Sequence, residues 1–297
     1  MPNITATQAD PFVPELWAAE ALNALRSNIT IAKLVTRDTD VAAFTVGDKL
    51  NIPYAGTLTA VPKVADTGVT AQAPTNEATI TVTLDKHYIV PIIIEDIARA
   101  QAMPSLRDSY VREAVRVLAE QIDTDLLALY ATFSSTDVGT AGTDISYDTI
   151  LSARQTLNTN KAPMTDRNIV LSVKDEKALL GDSDLSAYFA NAKPGAVAEG
   201  AIGRLSGFDV WMSQLVPSSG GTTHNLAFQK EAIILAMRGL PQDNPGALSA
   251  TMQDPLSGLV LRVTGMYNMS HVGMQLNIDV LYGVAELRDA CGVEIVS

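Results

Sequence analysis

Between Gly47 and Ile94 the chain carries two stretches of strand character around a turn-rich tip, and a long amphipathic helix follows. The first limb, Asp48 to Val61, reads as strand. The second, Glu77 to Ile94, begins in strict alternation, with Ile80, Val82 and Leu84 on one face and Thr79, Thr81, Thr83 and Asp85 on the other. Pro62, Gly68 and Pro74 mark the tip, 62–76, as turn and loop. At about 3.3 Å per residue, limbs of this length reach roughly 45–55 Å. A hairpin of two strands is marginally stable by itself in water. One this long, with an apolar face that continues to Ile89 and Val90, is expected to lie on another surface. The simplest such surface is a neighbouring copy of the same chain.

The helix is expected to start at Ser105, a suitable N-cap with Asp108 three residues on in the capping-box position. Val111, Ala114, Val115, Leu118, Ile122, Leu126 and Leu129 form one apolar stripe. Asp108–Arg112 and Arg116–Glu120 are acid–base pairs at i,i+4. From Leu106 to Tyr130 the helix would span about 37 Å. Its 25 residues exceed the ~11–12 of an average helix and predict a structural beam.

Ahead of the arm, Pro14 opens a short helix with Leu16, Trp17, Ala19, Leu22 and Leu25 at near-helical spacing. Ile29 to Val35 reads as strand or extended chain, and Thr36 to Thr45 as a connection. Ser134 to Asp144 is a loop and a subdomain boundary. Helix is then predicted over Tyr147–Leu157 and Lys174–Leu180, with a shorter one within Ser183–Ala192. Strand is predicted over Asn168–Val173, Phe208–Met212, Leu259–Tyr267, Met274–Val284 and Val293–Val296. Leu226 to Ala236 mixes strand and short helix. Pro217–His224 and Arg238–Ser257 read as irregular connections.

Charge and cysteine content narrow the function. The net charge is −12, with no basic run, which argues against a surface that holds nucleic acid by neutralising phosphates. The single cysteine, Cys291, permits synthesis in a reducing compartment. Met1 to Asp10 lacks the basic and apolar blocks of a signal peptide, and no window approaches the ~18 apolar residues of a membrane span. A soluble product is expected.

Reaction chemistry is absent from the pattern. His87, His224 and His271 are far apart and outside any metal-ligand spacing. No Gly-x-Ser-x-Gly elbow occurs. Gly195-Ala-Val-Ala-Glu-Gly200 has the glycine spacing of a phosphate loop, but Ala201 and Ile202 stand where Lys and Ser/Thr are required. Cys291 reads as a small buried hydrophobe. Glu95-Asp96 and Asp123/Asp125 are carboxylate pairs of the kind used in acid–base work, but they read better as helix-end or solvated charges. No catalytic residue, cofactor or metal is expected.

The order of these blocks resembles the major capsid proteins of tailed bacteriophages, whose Hong Kong 97-like fold is shared by encapsulin shells. The resemblance covers nearly the whole chain. It rests on Pro14-Glu-Leu-Trp17 to Leu25, Ala32-Lys-Leu-Val35, Gly47-Asp-Lys-Leu-Asn-Ile-Pro53 and the helix from Ser105. It continues through Ala162-Pro163 to Ser172, Gly200-Ala-Ile-Gly203 to Val210, and Asn225 to Ala236.

The resemblance implies an α+β subunit with a long spine helix. It divides the chain into an N-terminal arm (1–46), an extended β-hairpin loop (47–94), a peripheral domain with the spine helix (95–139), an axial domain (140–257) and return strands of the peripheral domain (258–297). It implies a coat protein that assembles itself, as pentamers and hexamers, into an icosahedral shell around double-stranded DNA without sequence-specific binding. Assembly would take place in the host bacterial cytoplasm, without a membrane, and the product would be the virion. Because the arm begins within the first fifteen residues, a separate scaffolding protein is expected, together with a portal; there is room for a decoration protein.

Inter-subunit contacts are expected at Leu16, Trp17, Leu22, Leu25, Ile80, Val82, Leu84, Ile89 and Val90. Lys63 lies where some family members cross-link covalently, although nothing identifies an acceptor. The loops Pro217–His224 and Pro241–Pro255 are expected to converge at the five-fold and six-fold axes. Two other readings are an encapsulin-like cargo shell, separable by looking for packaged DNA, and a soluble acidic hydrolase, separable by sedimentation.

Overall fold

Two large β-sheets, a separate two-stranded sheet and one long helix organise the described residues. The computed structural model describes residues 21, 25, 30–37, 49–54, 60–68, 78–96, 106–135, 137–182, 203–240, 248–253 and 259–297. In chain order the elements are β1 (Thr36–Arg37), β2 (Lys49–Tyr54), β3 (Ala78–Thr83), β4 (Lys86–Glu95), α1 (Leu106–Leu127), β5 (Val138–Gly139), α2 (Tyr147–Thr159), β6 (Arg167–Leu171) and α3 (Val173–Gly181). Then come β7 (Arg204–Leu205), β8 (Phe208–Met212), β9 (Ser218–Ser219), β10 (Thr222–Gln229), β11 (Ile233–Arg238), β12 (Leu248–Gln253), β13 (Val260–Asn268), β14 (Gly273–Glu286) and β15 (Gly292–Val296).

The first sheet runs β1-β11-β14-β13-β12, with β4 on the other side of β14. The second runs β5-β15-β10-β6-β8-β7, with β9 on β10. The expected helix α1 is present, and its predicted stripe is its buried face: Val111, Ala114, Val115, Leu118, Ile122 and Leu126 are each at most 5% exposed. Leu129 is half-buried in a 3-10 turn, Ala128–Thr132, that extends the helix. Of the two predicted ion pairs, Arg116–Glu120 is made, and Arg116 also donates to Glu113. The Asp108 side chain lies outside what is described. The inner side of the first sheet, with Tyr88, Val90 and Ile92 of β4 and Leu276, Ile278 and Val280 of β14, joins the core to which the buried α1 residues belong.

In the second sheet, β6 is buried along its whole length between β10 and β8: Ile169, Val170 and Leu171 are its apolar part, while Arg167 donates to Asn158 and Asn168 accepts from Trp211. The helix α2 starts with a capping box at Ser146 and Thr149, and α3 with Ser172 accepting from the Asp175 amide.

Several expectations need correction. The second limb of the arm is not one strand. It breaks at Leu84-Asp85, and β4 leaves the hairpin to pair with β14 along its full length of 10 residues. A long ladder over an apolar core outcompetes extension of a lone two-stranded ribbon. Ile31–Lys33 is a 3-10 turn rather than a strand, because its amides are taken by a helix side chain. β12 occupies the middle of the connection expected to be irregular; Leu248, Ala250 and Met252 alternate against β13. The Pro217–His224 loop is largely a tight β9–β10 hairpin turning through Gly220 and Gly221, both at positive φ. The sheets also cut across the division at 257/258: β11 and β12 belong to the first sheet and β15 to the second. The predicted short helix in 183–192 and the loop Gly195–Gly200 lie outside the described residues.

Candidate assembly surfaces

Strand parity gives β14 two faces. Met274, Leu276, Ile278 and Val280 point to the core, so Gln275, Asn277, Asp279, Gly283 and Ala285 form the outer face. Their neighbours follow from the register: Ile93, Pro91 and Ile89 on β4, and Met266, Thr264 and Arg262 on β13. Ala285 and Gly283 face Ile234 and Ala236 of β11.

One end of this outer face is covered by the root of the chain's own hairpin. Val82 and Leu84 form a buried cluster with Ile234 and Ala236, flanked by Leu50, Ile52, Ala285 and Leu287. Val82 is 0% and Leu84 8% exposed, so both are used inside the chain rather than left for a neighbour. Two further expected contacts are corrected in the same way. Leu25 is fully buried in the main core, and Val90 packs against that core from the opposite side of β4 to Ile89. Consecutive strand residues cannot share a face.

The remainder of the outer face differs in character. Ile89, Ile93 and Met266 are 48%, 41% and 44% exposed. Between them runs an amide ladder in which Asn268 Nδ2 donates to Gln275 Oε1, and Gln275 Nε2 to Asn277 Oδ1, each at 3.0 Å. Asp279 is only 1% exposed, held between His87 Nε2 at 2.9 Å and Arg262 Nε at 3.1 Å. Thr264 Oγ1 is buried without a hydrogen-bond partner. The strand β4 is also an edge: among the described residues it pairs with β14 alone. Pro91 sits mid-strand opposite Asn277, so its nitrogen, without a hydrogen, is at the free edge, where it discourages promiscuous strand addition.

The arm tip is exposed, with Val61 at 57% and Val64 at 66%. Lys63 Nζ turns back onto the carbonyls of Val64 and Thr67, closing the tip turn. Ile80 is half-buried on β3, opposite Ile52. Leu16, Trp17 and Leu22 lie outside the described residues.

The histidines, Cys291 and the Asp123/Asp125 pair do not converge on one site. His87 belongs to the Asp279 ion pair; His224 stacks on Tyr130 with ring centroids 4.3 Å apart and meets Glu294; His271 is exposed. No group of three or more metal-binding side chains occurs among the described residues. Burial pushes the Cys291 thiol above its usual value, which removes nucleophilic character. Asp123 and Asp125, two apart on a helix, face different ways. Asp125 accepts from the Tyr282 hydroxyl at 2.7 Å and pairs with Lys86 at 3.3 Å, while Asp123 is 4% exposed and binds backbone amides. Asp96 accepts from Tyr267 at 2.8 Å. The burial of Asp123 was not legible in the sequence, because an aspartate two residues from another on a polar-looking stretch gives no sign of a backbone partner some ninety residues away.

Comparison with known proteins places this arrangement. The Phage capsid protein family matches residues 32–242. No curated protein matches the chain. Among solved structures, that of Mycobacterium phage Che8 is similar at 18% identity and TM-score 0.66, with 90% of each chain covered. The capsid of cyanophage P-SCSP1u is similar at 16% identity and TM-score 0.67, covering 90% of this chain and 87% of that one. The SrpI encapsulin of Synechococcus elongatus is similar at 11% identity and TM-score 0.56, covering 89% and 85%. At these identities the likeness is one of fold.

Proposed function

Because the chain belongs to the phage capsid protein family, matched over residues 32–242, we propose a specific route by which it builds its shell. It is a major capsid protein, a structural subunit that assembles with its own copies into an icosahedral phage shell. The uncovered part of the outer face, from Ile89 and Ile93 across Gln275 and Asn277 to Met266, receives the arm of a neighbouring subunit. The observation that carries this is continuity: the chain's own arm root already covers one end of that face, and the other end carries exposed apolar residues and a buried, unpaired hydroxyl. Ile80, Lys63 and the tip residues Val61 and Val64 are the arm's contribution, and Leu16, Trp17 and Leu22 that of the N-terminal segment. Many weak contacts of this kind add up in a closed shell.

In this reading the first sheet with α1 is the peripheral domain, and the second sheet with α2 and α3 is the axial domain. Subunits gather as pentamers and hexamers in the host cytoplasm, with a separate scaffolding protein and a portal. The subunit carries out no reaction. Its net charge of −12 suits a lining that releases DNA rather than holding it.

Replacing residues 57–77 by a short turn tests the arm. The shortened subunit should fold, by circular dichroism, and fail to form stable shells. Shells of normal size and stability would overturn the arm's role. Electron micrographs of particles from phage-infected cells should show shells holding DNA; shells filled with protein cargo instead would point to the encapsulin reading.

A further inference from the structure

A cleft of about 500 Å³ opens beside the end of α2. Its walls come from the last turn of α2, with Thr156, Thr159 and Asn160, from Ser134 and Ser135 beyond the end of α1, and from Asp289 in the 3-10 turn between β14 and β15. The hydroxyl hydrogens here are turned into the protein. Thr156 Oγ1 donates to Ser152 O at 3.1 Å, and Thr159 Oγ1 to Gln155 O at 2.9 Å. The Ser134 hydroxyl donates to Asp289 Oδ2, and the Ser134 amide to Oδ1 at 2.6 Å. A hydroxyl has one hydrogen and two lone pairs. With their hydrogens spent, Ser134, Thr156 and Thr159 offer the cleft lone pairs, alongside the Asp289 carboxylate. Ser135, which accepts from Asn160 Nδ2 at 3.2 Å, keeps its hydrogen. The Gln155 and Asn160 amides can present either a carbonyl or an NH2 group.

The electrostatics have the same sign as the lone pairs. α2 ends at the cleft with no basic residue in its last turn, so the negative end of its dipole has no cation beside it there. Burial, and then the Asp289 charge, hold the Glu286 carboxyl above its ordinary value, so a nearby acid already feels the excess of negative charge. Among the described residues no lysine or arginine lines the cleft, and Arg288, next to Asp289, pairs with Glu231 at 2.9 Å. A divalent metal ion is a poor fit, because it takes several close oxygen ligands, carboxylates foremost, and only one carboxylate lines the cleft among the described residues. An ammonium group satisfies both conditions: it is a cation, and it has N–H donors and no acceptor.

We propose that this cleft binds an organic ammonium ion, the end of a free diamine or of a lysine side chain, held by Asp289 and the hydroxyl oxygens of Ser134, Thr156 and Thr159. An occupant would bridge α2 to the two segments that lead from α1 and from β14 into the second sheet. Binding to the single subunit does not depend on the assembly reading above.

The test titrates unassembled full-length subunits with n-butylammonium and follows backbone amides by NMR. The Ser134, Asn160 and Ala290 signals should shift to saturation at concentrations on the order of millimolar. Tetramethylammonium, which carries the charge without an N–H, should bind about tenfold more weakly. Asp289→Asn should weaken n-butylammonium about tenfold, and Thr159→Val, which removes an acceptor and no charge, about fivefold. Asp144→Asn, which removes an exposed charge near the other end of α2, should bind like wild type. No saturation, equal binding of the two cations, or equal loss in Asp144→Asn and Asp289→Asn overturns the site and leaves general attraction to an acidic surface. Unchanged binding in both Asp289→Asn and Thr159→Val overturns it as well. If Asp289→Asn does not fold by circular dichroism, Thr159→Val and tetramethylammonium decide by the same criteria. Equilibrium dialysis with putrescine separates the sources. Uptake by subunits and shells alike supports a free diamine, uptake by subunits alone supports a lysine from a second copy, and uptake by neither overturns the site.

Discussion

The carbonyl oxygen of Thr83, the last residue of the hairpin, occupies the place where a β-carbon on Gly283 would stand. This close crossing seats the arm root on β14, next to the cluster of Val82, Leu84, Ile234 and Ala236. Gly283→Ala should therefore push the root off its seat and cost about 1–3 kcal/mol, read by urea unfolding of unassembled subunits. Gly181→Ala is the control, since nothing lies within 4 Å of a β-carbon there. It should be neutral or slightly stabilising.

Leu84 and Ile89 separate what the arm region does for its own subunit from what it does for a neighbour. Leu84 is 8% exposed and Ile89 48%. Leu84→Ala should destabilise the unassembled subunit by about 2–3 kcal/mol through the cavity it leaves. Ile89→Ala should change that stability by less than about 0.5 kcal/mol and instead lower the urea concentration at which assembled shells fall apart. Shells of Ile89→Ala as resistant as wild type would remove that residue from the interface.

Much of the fold was readable because period and punctuation agreed with burial. The α1 stripe, the capped α2 and α3, and strands β6, β8, β13 and β14 all showed their alternation or helical spacing in the residues themselves. What could not be read was partner choice. Nothing local says that β4 leaves the limb it shares with β3 to pair with β14 rather than extend the hairpin, since both pairings satisfy the same alternation. β12 hides among Pro, Gly and Asn, although Leu248, Ala250 and Met252 alternate. Val82 and Leu84 were recognisable as an apolar face needing cover, but whether a neighbour or the chain's own Ile234 supplies it depends on three-dimensional proximity. The same holds for Asp123, whose amide partners are remote in sequence.

The Tyr282 side chain is fully buried, stacks on Tyr88 with centroids 5.9 Å apart, and donates its hydroxyl to Asp125. Burial and that bond push its ionisation far above the ordinary tyrosine value, so it stays a donor at every accessible pH. Tyr282→Phe should cost about 1.5–3 kcal/mol, the range for a hydrogen bond to a charged group. In a double-mutant cycle Tyr282→Phe and Asp125→Asn should be strongly non-additive. Additive losses would mean that the hydroxyl and the carboxylate act independently.

The pH dependence of stability carries the signature of Asp123, which accepts from the backbone amides of Thr30, Ile31 and Ala32. Burial holds the Asp123 carboxyl above its ordinary value of 3.8, only partly offset by the three amides and Lys33. Burial, then the Asp289 charge, hold Glu286 above 4.5, against a bond from Thr132. The folded chain therefore keeps these protons at pH values where the unfolded chain has lost them. Their contribution to stability is fully present below the ordinary carboxylate values and is lost as pH rises through the raised ones. Asparagine at 123 cannot ionise. The advantage of wild type over Asp123→Asn, measured by urea unfolding of unassembled subunits, should be largest in acid and shrink toward neutrality. If that advantage instead grows with pH, the ionised carboxylate is the favoured form in the fold, and its bonds to Thr30, Ile31 and Ala32 outweigh its burial.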